Sequence, residues 1–407
     1  MMLNINVAIE KNEKFTTANL GCFLRFPLTK HNLAYASLLA KMQMNASLFF
    51  PRISSQETAF KNLYDIQFEV VPQLFGKEIV LSYIANFVEP TELLDPDYNY
   101  KKVISILEKV ILHPSFNDKL IELSKEQLIS EYDEIMKRPA TFAFDKFFKI
   151  WYQDDPDFSD SFIGSIEEIK RSTSSSLTNF YKNLRDVPLS IIGMAEDNRQ
   201  LENIIKSGFK HAGLMKKFGV DGIAISAKKR EISKVDDHHN LQAQLMLGYA
   251  YNQNIKISFE DQICGLVLAE YLAGDQSSIL FRKVREELGA AYSVSADNYA
   301  NNSLFLINAG IEPAMSEKVQ RVINNELQKV ADGEINLELL QLAKRSLINV
   351  ETVNRDRESW ILAQLLREHL FAKYREFDRL AAIKAIGPEQ IESFAKNLYL
   401  NESYVLK

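Results

Sequence analysis

The order of elements read from the first 200 or so residues returns after residue 240, and this repetition constrains the fold more than any other feature. The first pass runs strand (19–26), a break at Pro27, helix (32–44), a second helix from Ser54, then two alternating runs (64–70 and 78–87) around a turn at Pro72–Gly76. Helical spacing follows over 99–150 and 166–184, then a strand at 188–194 and one more helix. The second pass runs strand (241–251), helices (259–272 and 277–287), strands (290–298 and 303–311), helices to Asn397 and a closing strand. Two echoes survive at residue level. Val88-Glu89-Pro90 returns as Ile311-Glu312-Pro313, and LTNFYKNL at 177–184 returns as IESFAKNL at 391–398. Matching order over so long a span predicts a tandem duplication of class α+β, each half an antiparallel sheet covered on one face by helices.

Between the passes lies a stretch of different character. It holds Gly208, Gly213, Gly219 and Gly222, several lysines, a short apolar run at 223–227 that reads as one embedded strand, and the polar run Asp236-Asp237-His238-His239-Asn240. The predicted partition is an N-terminal half at 1–208, a linker region at 209–240 and a C-terminal half at 241–407.

Charge excludes one broad class. A formal net charge of −6 and a pI near 5.7 leave no basic footprint for nucleic acid. The N-terminus lacks a long apolar stretch behind a basic region, and no run of about 18 uncharged apolar residues occurs, so the expectation is a soluble, cytoplasmic protein without membrane contact. Cys22 and Cys264 stand in no CxxC or Cys/His cluster and read as reduced and packed.

The most informative string is SSILFRKVREELGAAYSVSADNY at 277–299. By spacing it is a basic amphipathic helix that turns at Gly289 into a strand, and the plain reading is a solvated helix face meeting a half-buried hairpin. The string also resembles a segment in the second half of insulinase, pitrilysin and processing-peptidase family members, in which an arginine and a tyrosine contact substrate. Here those positions are Arg285 and Tyr292. The resemblance implies that both line an interior chamber enclosed by the two halves. A guanidinium fork suits peptide carbonyls or a carboxylate, and a phenol offers one donor to a developing oxyanion.

Catalytic members of that family carry the inverted zinc motif HxxEH on the helix after the first strand. Two histidines four apart grip the metal and the glutamate takes a proton from zinc-bound water. Matched to LAYASLL at 33–39, the motif falls on Tyr35, Leu38 and Leu39. Leucine has no lone pair, and a neutral phenol is a poor ligand. A later family glutamate corresponds to Glu131, farther from the motif than the family spacing and read as a helix-surface or core-edge residue.

No other metal site is expected. His238 and His239 are adjacent and diverge on either a strand or a helix. His31 reads as a turn or first-turn residue, His113 and His211 as loop residues, and His369 as helical. GxSxG, the Walker loop and GxGxxG after a strand are all missing from the sequence.

The expectation is a non-catalytic subunit that binds substrate and complements a zinc-dependent peptidase or processing complex, supplying Arg285 and Tyr292. Zinc and HxxEH would then reside only in a paralogous partner chain, with a self-dimer as the other arrangement and peptide as substrate. FLRFPLTKHNLAYASLL also resembles bacterial non-catalytic members associated with modification of elongation factor P. The alternatives are a peptide-binding or scaffold pseudoenzyme, and an autonomous zinc metallopeptidase.

Overall fold

A computed structural model describes residues 6–160, 162–226, 230–238, 240–251 and 258–407. The first pass comprises β1 (Val7–Lys11), β2 (Thr17–Pro27), α1 (Lys30–Asn45), α2 (Ile53–Lys61), β3 (Gln67–Phe75), β4 (Glu78–Val88), α3 (Tyr100–Leu112), α4 (Asp118–Met136), α5 (Pro139–Trp151), α6 (Ile166–Arg171), α7 (Ser174–Leu184), β5 (Leu189–Ala195) and α8 (Asn198–Gly208). The second comprises β6 (Ile232–Asp236), β7 (Ala243–Tyr251), α9 (Phe259–Ala273), a π-helical segment (Phe281–Glu287), β8 (Ala291–Tyr299), β9 (Leu304–Ile311), α10 (Ser316–Ala331), α11 (Leu337–Asn354), α12 (Glu358–Leu370), α13 (Arg379–Ala385), α14 (Pro388–Lys396) and β10 (Leu398–Leu406).

The duplication is confirmed by topology. Two five-stranded sheets run β1-β5-β2-β4-β3 and β6-β10-β7-β9-β8, the same order in the same sense. Each sheet is antiparallel except at one edge, where β1 joins β5 and β6 joins β10 in parallel. Neither parallel edge strand is where the sequence suggests. β1 is short and polar at its end, and its partner lies far along the chain, so nothing local announces it. β6 falls inside the predicted linker at 209–240, which therefore contributes a strand to the second sheet. Within the expected strand at 223–227 the described residues are not extended into a ladder, although Ile225 N–H donates to Asn301 O at 2.8 Å, and Ala227 lies outside the described residues.

Local chemistry explains the remaining boundaries. The helical stretch expected over 99–150 is three helices, separated around Pro114 and Pro139, because proline lacks an amide hydrogen and cannot continue a helix. The first hairpin turns on Gly76 and Lys77 alone, with Gly76 at φ +56°, whereas Pro72 sits inside β3. An edge strand tolerates that proline, since one of its sides has no ladder to feed.

One helix-covered face of the first sheet buries Leu20, Cys22, Leu24 and Phe26 of β2 against α1, α3, α7 and α8. The second sheet buries Leu245, Leu247 and Tyr249 of β7 against α9, α10 and α14 in the same manner. The other face of each sheet is not bare. The chain divides into two compact units, 1–133 with 156–222 and 356–375, and 134–155 with 223–355 and 376–407. Contact in space thus departs from the contiguous partition 1–208, 209–240 and 241–407: α12, from the second pass, lies on β2 and β5, and α5, from the first pass, lies on β7 and β10. Phe23, Val80 and Ile192 of the first sheet pack there on Leu362, Leu366 and Leu370 of α12. At Gly248 of β7 an added Cβ would come within 2.5 Å of the Phe147 ring and 2.8 Å of the Trp151 ring, so the missing side chain is what lets α5 lie flat on its sheet.

A buried lysine repeats between the units. Lys125 Nζ on α4 donates to Ser172 O at 2.7 Å, beyond the end of α6, and Lys344 Nζ on α11 donates to Lys384 O at 2.7 Å and Ile386 O at 2.6 Å, at the end of α13. Each ammonium satisfies carbonyls that a helix end leaves without intrahelical partners.

Candidate functional site

The degenerate motif lies on α1, whose Thr29 cap accepts from Asn32 N–H. Tyr35, Leu38 and Leu39 are all buried, the two leucines completely. Tyr35 O–H donates to Ser176 Oγ at 3.0 Å, and its ring packs on His31 and on Phe180. The loop before α6 lies flush on the same helix: at Gly164, φ +81°, an added Cβ would meet Ala34 N at 2.7 Å. Leu38 and Leu39 each stabilise this core by about 2 kcal/mol on burial. The two leucines offer no lone pair, and the Tyr35 hydroxyl, a poor metal ligand while neutral, is engaged with Ser176.

Glu131 stands on α4 facing α1, ion-paired with Lys41, its side chain 54% exposed. It faces the motif helix yet meets a cation on it, and its partner is a fixed ammonium. Because the pair is partly solvated, Glu131→Gln is expected to change unfolding free energy by less than about 1 kcal/mol, measured by urea titration. A loss well beyond that would mean the carboxylate does more than hold a surface pair.

Arg285 and Tyr292 belong to the second unit, and both sit on backbone irregularities that the sequence did not reveal. The expected α-helix at 277–287 is π-helical over Phe281–Glu287. Such wider turns are rare and concentrate at functional sites. The π turn leaves Arg285 exposed with its guanidinium 4.7 Å from the Phe281 ring centroid, a cation–π contact that orients the fork. Gly289, φ +60°, then reverses the chain into β8, the edge strand of its sheet. Along β8, Ala291 pairs with Ile311 and Ser293 with Gly310, so Tyr292 is the extra residue of a β-bulge. A bulge re-aims a side chain, and Tyr292 is 57% exposed. Beside the same π turn, a groove of about 360 Å³ is walled by Lys283, Glu287, Leu288, Val322, Glu326 and Lys329.

The histidines fall near their expected places. His31 begins α1, 3.0 Å from Glu168 Oε2. His113 ends α3, and His211 caps the short turn after α8, accepting from Gly213 N–H at 3.0 Å. His369, on α12, lies 3.2 Å from Ser190 Oγ, and burial lowers its pKa. His238 packs on Phe142, and His239 lies outside the described residues. Cys22 and Cys264 are buried and free, and burial pushes both thiols up, Cys264 to about 12. Among the described residues no three His, Cys, Asp or Glu side chains converge as a metal site, and no helix is long and apolar enough to cross a membrane.

Residues 174–347 match the model of the peptidase M16 inactive domain. The chain is 20% identical over 415 residues to the probable inactive metalloprotease YmfF of Bacillus subtilis, covering 98% of this chain and 95% of that one. It is 24% identical over 315 residues to a zinc protease of Rickettsia felis, covering 74% of this chain and 69% of that one. Among solved structures, a conserved protein from Enterococcus faecalis superposes with a TM-score of 0.89 at 20% identity, over 100% of this chain and 97% of that one. A peptidase M16 inactive domain from Pseudomonas fluorescens superposes at 0.78 with 16% identity, over 100% and 96%.

Proposed function

We propose that this chain, whose residues 174–347 match the peptidase M16 inactive domain, is the substrate-binding, complementing subunit of a zinc-dependent peptidase or processing complex. The observation that carries the reading is the asymmetry between its two motifs. Where a zinc peptidase needs two imidazoles and a carboxylate, Tyr35, Leu38 and Leu39 are packed into the core. Where such proteins contact peptide, Arg285 and Tyr292 are present and exposed. A chain released from both tasks would have no reason to keep only the second.

In this role Arg285 offers paired N–H donors to peptide carbonyls or a carboxylate, and the Tyr292 hydroxyl offers one donor to the oxygen that gains charge during cleavage. Water activation, and the zinc that performs it, would come from an HxxEH-bearing chain. The resemblance to YmfF, described as a probable inactive metalloprotease, supports the non-catalytic part of this reading.

The test is reconstitution with an HxxEH-bearing paralogous chain from the same source, assayed on peptides with and without chelator. Arg285→Ala and Tyr292→Phe are each expected to lower turnover by about 10² to 10³ while leaving the unfolding midpoint unchanged. Turnover indifferent to both changes would sink the proposal, as would zinc-dependent hydrolysis by the isolated chain. Peptide binding without any turnover in the pair would favour the scaffold reading.

A further inference from the structure

Glu402 is a carboxylate in an unusual place. It lies on β10, directly opposite Gly248 of β7, and is completely buried. Directly opposed residues of an antiparallel pair share a face. Gly248 is where the Phe147 and Trp151 rings of α5 touch the sheet, so Glu402 points to the α5 side. The strand is bulged at this point: Leu400 pairs with Tyr249 and Glu402 with Gly248, leaving Asn401 as the extra residue. Neither Glu402 oxygen has a hydrogen-bond partner among the described residues.

The charges around it are few and mostly engaged, although the buried Nε of Arg230 has no hydrogen-bond partner among the described residues. Arg230 donates from Nη1 to Asp154 Oδ2 at 2.9 Å and from Nη2 to Trp151 O, and its backbone N–H donates to Asn401 Oδ1 at 2.8 Å. On α5, Asp145 is held by Lys149 at 2.7 Å. On β6, Ile232 stands opposite Glu402, and Lys234 and Asp236 pair with each other at 3.6 Å. On β10 itself Tyr404 O–H donates to Asp236 at 3.0 Å. An ionised carboxylate here would lack both water and a dedicated donor, which is among the costliest arrangements in a protein interior.

We propose that Glu402 is a proton-dependent latch for α5: held neutral beneath the helix, it loses its proton whenever the helix opens and lets water in, so α5 is gripped in acid and loosened toward alkaline pH. Burial raises its pKa to about 8, with the Arg230 guanidinium opposing the rise. The direction follows from linkage. Once wetted, the carboxyl returns to the ordinary value near 4.5, so between that value and about 8 the docked form holds one more proton than the open form. The stabilisation is complete below the lower value, declines as pH rises, and is gone above the upper one. Because α5 is the first-pass helix that covers the second sheet, the latch acts on the element that the first pass contributes to the second unit.

Hydrogen exchange on the full chain, corrected for intrinsic rates and followed from pH 5.5 to 9, tests this directly. Protection of residues 139–151 is expected to fall about tenfold per pH unit and to level off near pH 8. In Glu402→Gln, which keeps the shape but cannot ionise, and in Glu402→Leu, the same amides should show a flat profile. A wild-type profile without slope, or a slope that persists in Glu402→Gln, would overturn the latch.

Discussion

Leu38→Glu is expected to destabilise the protein by about 3–5 kcal/mol, more than any substitution at a solvated site. Leu38 is completely buried on α1. A glutamate there forfeits about 2 kcal/mol of apolar burial. It must also either ionise without water or stay protonated at neutral pH, and each tenfold bias against the charged form costs about 1.4 kcal/mol. Urea unfolding at pH 7 measures the loss, with Leu94→Glu, at a fully exposed position, as the neutral control. The physical content concerns the old metal site. A loss below about 1 kcal/mol would show that position 38 reaches water or polar partners, and that the helix has not closed over where the metal would sit. Adding Tyr35→His and Leu39→His to the same chain should not restore stability, with or without zinc, because Glu131 is turned to Lys41.

Gly248→Val is expected to cost about 2–3 kcal/mol, with Gly248→Ala costing less. The contacts awaiting a Cβ are ring atoms of Phe147 and Trp151, which stack on each other at 5.7 Å and cannot swing aside as a flexible chain end would. Thermal unfolding gives the total, and a double-mutant cycle gives the cause. In a Phe147→Ala background the nearest obstructing atom is gone while the Trp151 ring stays 2.8 Å from the added Cβ, so Gly248→Ala should cost less than in the native chain without becoming neutral, a coupling of about 1 kcal/mol. Additive effects would mean that the glycine is needed for something other than the seating of α5.

The degeneracy of the zinc motif could be read from residue types alone, because no packing can give leucine a lone pair. The same is true of the duplication, where the repeated Glu-Pro after β4 and β9 and the likeness of α7 to α14 survive as strings. Arg285 and Tyr292 were found through resemblance, but what makes them exposed was not visible. A π turn and a β-bulge depend on hydrogen-bond register, and a string of residues compatible with an ordinary helix and hairpin does not disclose it. Nothing in the sequence marks Lys125 and Lys344, whose ammonium groups donate to helix-end carbonyls.

What the sequence by itself determined is the periodicity of most helices and strands, the twofold order of those elements, and the absence of imidazole and carboxylate at positions 35, 38 and 39. These follow from side-chain chemistry and local spacing, which act over a few residues. Tertiary structure alone decided which sheet each helix covers. An amphipathic helix such as α5 or α12 specifies that one face must be buried but not against what. Gly248 and the rings of Phe147 and Trp151, like Phe23 and the leucines of α12, settle the choice by fit between surfaces far apart in the chain. The same long-range pairing added β1 and β6 to the sheet edges and shut Glu402 beneath α5, where its burial becomes a property of the fold and not of its neighbours in sequence.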